Sequence, residues 1–277
     1  MRLATIRTPG GTRAVKLDGG TLVDLGAEDL GAFLADPGWE RAAAAATGPA
    51  YDADSADFAP VVPRPSKVIC VGHNYTGHIK EMGRELPAYP TLFPKFADSL
   101  IGARDDIVKP PETDALDWEV ELAVVIGRSV RRAGEQEAAA AIAGFTVMND
   151  VSVRDWQFRT VEWTQGKIWD SSTPVGPYVV TPDELPGGVR PALTVRTTVG
   201  GRLMQEDDTA TLLFDPVHLV CYVSTVVRLN PGDLIATGTP AGVGHARDPK
   251  VYLTGGESVV TEVEGIGACV NQVVVRP

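Results

Sequence analysis

The sequence predicts a mixed, mostly β fold preceded by a small α+β unit. Short apolar runs rich in Val, Ile and Thr recur between Gly, Pro, Asn and Asp punctuation, notably at residues 67–72, 120–126, 145–150, 194–199, 234–237, 258–263 and 268–275. Helical stretches are few and short. Prolines at 60, 63 and 65 form a stiff extended connector, which divides the chain into units at residues 1–62 and 66–277.

The first unit reads as strands at 3–7, 13–17 and 21–23 around the turns Pro9-Gly10-Gly11 and Asp18-Gly19-Gly20, then a helix through Trp39 and alanines 42–46. Residues 67–72 make a buried strand that stops at Gly72. A helix over 77–85 would put His78 and Glu81 on one face, where a carboxylate orients an imidazole as a base. The same spacing also suits a surface contact. Residues 77–90 are rich in Gly, Pro and charge and are expected to form a mobile lid. Lys95, between Phe93 and Phe96, either faces carboxylates or snorkels to water.

The stretch 117–127 (DWEVELAVVIG) ends in a β-branched run and a glycine, so it reads as a strand. Alternation places Glu119 and Glu121 on one face. That face either looks at water or holds a cation between the carboxylates. A helix is expected over 135–143, ended by Gly144, then a strand with Asp150 at its end. Asp215-Pro216 starts a helix running to about Val226. The turn Gly238-Thr239-Pro240-Ala241-Gly242 exposes backbone N–H groups and a hydroxyl that could hold a carboxylate, although any tight turn uses such residues. Glu119, Glu121 and Asp150 together supply three hard oxygen ligands suited to Mg²⁺ or Mn²⁺.

Lys and Arg number 25 against 36 Asp and Glu, a net charge of −11. With no basic runs, nucleic acid and anionic membranes are excluded as partners. Cys70, Cys221 and Cys269 lack metal-ligand spacing and read as reduced core residues. No run reaches transmembrane length and Met1-Arg2-Leu3 does not open a signal peptide, so a cytoplasmic protein is expected.

The segments 71–81 (VGHNYTGHIKE), 93–95 (FPK), 117–127, 149–157 (NDVSVRDWQ), 165–167 (QGK) and 237–244 (TGTPAGVG) resemble, in order and spacing, the fumarylacetoacetate hydrolase family. The resemblance covers residues 66–277. It implies a β-roll with peripheral helices, usually a homodimer, and a metal held by Glu119, Glu121 and Asp150. It also implies a water-activating dyad of His78 and Glu81, with Lys167 stabilising negative charge. Substrate contacts would fall on Tyr75, Lys95, Arg154, Gln157 and Thr239. The insert 158–164 (FRTVEWT) matches no one subfamily.

The expected activity is a Mg²⁺-dependent hydrolase that cleaves the C–C bond of a 2,4-diketo acid, an acylpyruvate such as fumarylpyruvate, through a metal-bound pyruvate enolate. Decarboxylation of an oxaloacetate-type β-keto acid, or isomerisation or hydration of a dienoic 2-oxo acid, would use the same site. A non-catalytic protein with a structural cation is the remaining alternative; it would need neither an adjacent base nor open ligand positions.

Overall fold

A computed structural model describes residues 1–275. Among them, twelve strands join one sheet. Its main path runs Ala50–Asp52, Thr21–Asp24, Gly11–Asp18, Arg2–Thr8, Thr173–Val180, Ile142–Asn149, Val120–Ile126, Leu234–Ala236, Val68–Gly72 and Thr91–Lys95. A second sheet of five orders Arg202–Asp208, Thr194–Val199, Ser258–Val263, Gly267–Val275 and Ile107–Lys109. A short ladder pairs Leu116–Asp117 with Ser152–Val153.

The strand Val120–Ile126 is buried along its whole length, so both of its faces need a partner. Val120, Leu122, Val124 and Ile126 meet Val217, Val220 and Val223 of the helix Pro216–Val226, and Val195 and Val263 of the second sheet. Ala123 and Val125 turn the other way, toward Leu30, Leu34 and Trp39 of the N-terminal helices. Small residues on that face let the helices approach closely. Each fully buried Val, Leu or Ile contributes about 1.5–3 kcal/mol, so this strand is held from both sides.

Sheet and core are continuous across the expected connector. Arg2–Thr8 pairs with Thr173–Val180, and Val61 and Val62 lie buried in the core that Leu30 and Trp39 share with Val68 and Val125. The helix expected to reach residue 143 ends at Ala141. Gly144 lies inside the following strand instead of capping the helix, because a Cβ there would collide with the Val180 carbonyl oxygen on the neighbouring strand. The helix expected over 77–85 spans Thr76–Glu81. Asp215 caps Pro216–Val226 as the sequence implied, its Oδ1 accepting from the His218 N–H at 3.0 Å.

Candidate active site

The end of Val120–Ile126 brings the acidic residues together. Asn149 at the end of the neighbouring strand accepts the Glu119 N–H on its side-chain oxygen at 2.9 Å, and the Asp150 N–H donates to the Glu119 carbonyl at 2.8 Å. This pairing sets Glu119, Glu121 and Asp150 side by side, with one carboxylate oxygen of each within 4.8 Å of the others. All three are buried, Glu121 to 1% exposure, which rules out a strand face looking at water.

Buried carboxylates need counter-charge. Lys167 Nζ donates to Glu119 Oε2 and Asp150 Oδ2, both at 2.8 Å, and Lys95 Nζ donates to Asp150 Oδ1 at 2.8 Å. Arg154 divides its guanidinium between Asp117 Oδ2 (2.8 Å), Gln157 Oε1 (2.9 Å) and Glu119 Oε1 (2.7 Å). Four buried carboxylates thus face three buried cations, and the one left over is Glu121. Among the described residues no Lys or Arg pairs with it, and its bond is to the Gly238 N–H at 2.8 Å.

The electrostatics follow from this layout. Burial opposes charge on Glu119, but Lys167 and Arg154 outweigh it and hold that carboxyl well below its usual range. Burial, then the Asp150 and Glu119 charges, push Glu121 well above it. Lys167 and Arg154 are raised despite burial, because the carboxylates around them favour their charged forms. A divalent cation would supply what Glu121 lacks, and three clustered hard oxygens are the donor set such an ion takes. The cluster therefore fits a divalent metal.

A cavity opens onto this cluster. His78, Glu119, Glu121, Arg154, Gln157, Lys167 and Thr239 all line it. His78 Nδ1 lies 3.0 Å from Glu81 Oε2, and Glu81 also accepts the Gly242 N–H at 3.0 Å. A carboxylate is acceptor-only, so Nδ1 carries the proton and Nε2 is left as the basic atom. Glu81 also ties the short helix to the 237–244 turn. Thr239 Oγ1 accepts from Gln205 Nε2 at 2.9 Å.

Four of the residues singled out from sequence do not line the cavity; Glu81 is one, standing behind His78. Asp150 and Lys95 form a pair behind the exposed oxygens, where Lys95 neutralises and orients the carboxylate. Tyr75 is fully buried in the core with Val71 and Val120, so its ring serves packing and cannot reach a ligand in the cavity.

Other residues escaped notice. Gln205 on Arg202–Asp208 binds the Val120 N–H, Thr197, Thr239 and the Pro240 carbonyl, linking the second sheet to the site. Asp117 accepts from the Gly244 and His245 N–H groups while pairing with Arg154. Only its place beside the E-x-E pattern hinted at it. The insert 158–164 supplies cavity wall: Phe158 lies against His245, their ring centroids 5.0 Å apart, and Trp163 packs edge-on to His73 and Phe93. Gly72 makes room, since a Cβ there would collide with the Trp163 ring.

The family model described as fumarylacetoacetate (FAA) hydrolase C-terminal matches residues 67–274. Human "Oxaloacetate tautomerase FAHD2A, mitochondrial" is 42% identical over 236 residues, 84% of this chain and 74% of that protein. A Dictyostelium discoideum fumarylacetoacetate hydrolase domain-containing protein 2 homolog is 39% identical over 218 residues, covering 76% of this chain and 72% of its own. A fumarylacetoacetate hydrolase from Exiguobacterium antarcticum superposes with a TM-score of 0.89 at 35% identity, covering all of both chains. A 5-carboxymethyl-2-hydroxymuconate delta-isomerase from Mycobacterium smegmatis does so with a TM-score of 0.81 at 33%, again over both whole chains.

The expectation of a cytoplasmic protein is overturned by these relatives, since human, rat and bovine homologues are designated mitochondrial. Its grounds were reduced cysteines and no apolar leader, and these do not separate the cytosol from another reducing aqueous compartment. Among the described residues no helix is long and apolar enough to cross a membrane. The profile match, the identities and the shared whole-chain fold agree: the chain belongs to the fumarylacetoacetate hydrolase family.

Proposed function

We propose that the protein is a Mg²⁺- or Mn²⁺-dependent keto–enol tautomerase of a small 2-oxo acid of the oxaloacetate type. The observation that carries this reading is the base His78, oriented by Glu81, on the wall of a cavity that Glu119 and Glu121 of the acidic cluster also line. The oxaloacetate tautomerases among the relatives at 42% identity support it.

Tautomerisation moves one proton between C3 and solvent and one between the C2 oxygen and solvent. With Nδ1–H donated to Glu81, His78 Nε2 takes the C3 proton of the keto form, and the electron pair moves onto the C2 oxygen. Returning that proton to C3 makes the keto form from the enol. Lys167 has three N–H donors and uses two on Glu119 and Asp150, so its third can oppose the charge passing through the C2 oxygen. Gln157 accepts from Arg154 through Oε1, which leaves its NH₂ as a second donor facing the cavity. The wall formed by Phe158 and Trp163 limits water around the reacting carbon. A divalent cation held by Glu119, Glu121 and Asp150 supplies Lewis-acid polarisation of the 2-oxo group.

The hydrolase expected from the sequence would use the same dyad to deprotonate water. The relatives favour proton transfer at carbon. The test is the loss of enol absorbance of oxaloacetate, run beside acylpyruvate cleavage, with Mg²⁺ present. Enol decay well above the spontaneous rate supports the tautomerase. Acylpyruvate cleavage with enol decay at the uncatalysed rate would replace it with the hydrolase.

A further inference from the structure

Gln205 is buried to 1% exposure, yet all of its polar capacity is used. Its Oε1 accepts the Val120 N–H at 3.2 Å and the Thr197 hydroxyl at 2.8 Å, and its Nε2 donates to Thr239 Oγ1 and the Pro240 carbonyl, both at 2.9 Å. A side-chain amide has two donor hydrogens and two acceptor lone pairs, so the set is complete. The backbone partners fix which way round the amide lies. The Val120 N–H can only donate and the Pro240 carbonyl can only accept, so the oxygen faces the strand and the NH₂ faces the turn.

The amide thereby settles the polarity of Thr239. A hydroxyl is free in general to donate or to accept. Thr239 Oγ1 already accepts from Gln205, and Gln205 has no lone pair left to take its proton. The hydroxyl proton is therefore turned away from Gln205, and Thr239 lines the cavity. The strand that carries Gln205 also grips the turn. The Arg247 guanidinium bridges the Met204 and Gly242 carbonyls, and a Cβ on Gly242 would lie 2.2 Å from the Met204 oxygen. Val120 stands between Glu119 and Glu121, so one amide sets the spacing between the acidic cluster and Thr239.

We propose that Gln205 is a positioning residue of the reaction: it makes Thr239 a donor only and aims its O–H at an oxygen of the bound 2-oxo acid. The inference rests on the reading of the cavity as a 2-oxo acid site. A hydroxyl fixed as a donor suits an anionic oxygen and needs no reorientation when the ligand arrives. Gln205 itself touches no ligand and acts through Thr239.

The experiment is a double-mutant cycle read by calorimetry of the Mg²⁺-loaded protein with 2-oxoglutarate, which needs no turnover. Thr239→Val should weaken binding about ten- to a hundredfold, the range for a hydrogen bond to a charged group, and Thr239→Ser should keep it within about threefold. Gln205→Glu preserves an acceptor for Val120 and Thr197 but puts an acceptor where Nε2 donated. The hydroxyl then turns away from the ligand, and affinity should fall by the same factor. Gln205→Met offers Thr239 neither, should cost about three- to tenfold, and completes the cycle if the first variant fails to fold. In a Thr239→Val background neither Gln205 change should weaken binding by more than about twofold, because the group it acts through is gone. Additive losses are the mark of a merely structural role and would overturn the proposal, as would wild-type affinity in Gln205→Glu or Thr239→Val. Wild type that binds no 2-oxoglutarate would overturn the 2-oxo acid reading and the inference with it.

Discussion

Glu121→Gln isolates the carboxylate that has no counter-ion. The Gln side-chain oxygen can still accept the Gly238 N–H now received by Glu121 at 2.8 Å, and the volume is unchanged. In chelated protein, burial and the Asp150 and Glu119 charges raise the Glu121 pKa well above its usual range and so favour its protonated form. The neutral amide then resembles the protonated acid, and the two chelated proteins should melt within about 2 °C of each other. With Mg²⁺ at a hundred times the wild-type Kd, linkage adds about 2.7 kcal/mol to wild type. At about 2–4 °C per kcal/mol for a large domain, that is a rise of about 5–10 °C. If loss of this ligand weakens the ion a hundredfold, the same Mg²⁺ adds only about 0.4 kcal/mol, or about 1–2 °C. Differential scanning fluorimetry with EDTA and with Mg²⁺ reads all four values. Loading should also release a proton from Glu121 in wild type, so Mg²⁺ should bind more weakly as the pH is lowered. An equal Mg²⁺-induced rise in both proteins would refute this placement of the cation.

Lys167→Met should be severely destabilising in the absence of metal. It leaves the buried Glu119 and Asp150 oxygens unpaired, a loss of about 3–5 kcal/mol that urea unfolding would measure. Gly72→Ala should cost about 1–3 kcal/mol by forcing Trp163 off the strand, and Trp fluorescence should shift toward the exposed value. His73 has a folded pKa of about 4 against an ordinary 6.5. The unfolded chain therefore takes up the proton first, and the contribution of His73 to stability is intact above pH 6.5 and lost as the pH falls toward 4. Across that window the Tm of wild type should fall more steeply than that of His73→Asn.

Local patterns made much of this site legible. A β-branched run ending in Gly127 marked the central strand, and the E-x-E spacing marked the carboxylates. The His78–Glu81 interval of three needed only one helical turn, and Thr76–Glu81 supplies little more than that. What remained hidden depends on partners far along the chain. Gln205 reaches Thr239 from a different sheet, and nothing in the 202–208 run marks it as polar structure inside a core. Glu119 and Glu121 could have faced water until Lys167 and Arg154 were found opposite them. Gly144 looked like a helix cap because its neighbour Val180 belongs to a strand more than thirty residues away. Tyr75 sits beside site residues in the sequence, just before the helix Thr76–Glu81, yet its side chain is buried in the core. The left-handed backbone of His73 has no sequence signature at all.

The central claim is that His78, held by Glu81, carries the proton at C3. The most direct measurement is stopped-flow decay of oxaloacetate enol absorbance by His78→Asn with Mg²⁺ bound, alongside calorimetric 2-oxoglutarate binding as a control for an intact site. The account predicts a fall in kcat of about a hundred- to ten-thousandfold, with ligand affinity kept within about threefold. A His78→Asn protein that tautomerises oxaloacetate at the wild-type rate would contradict it.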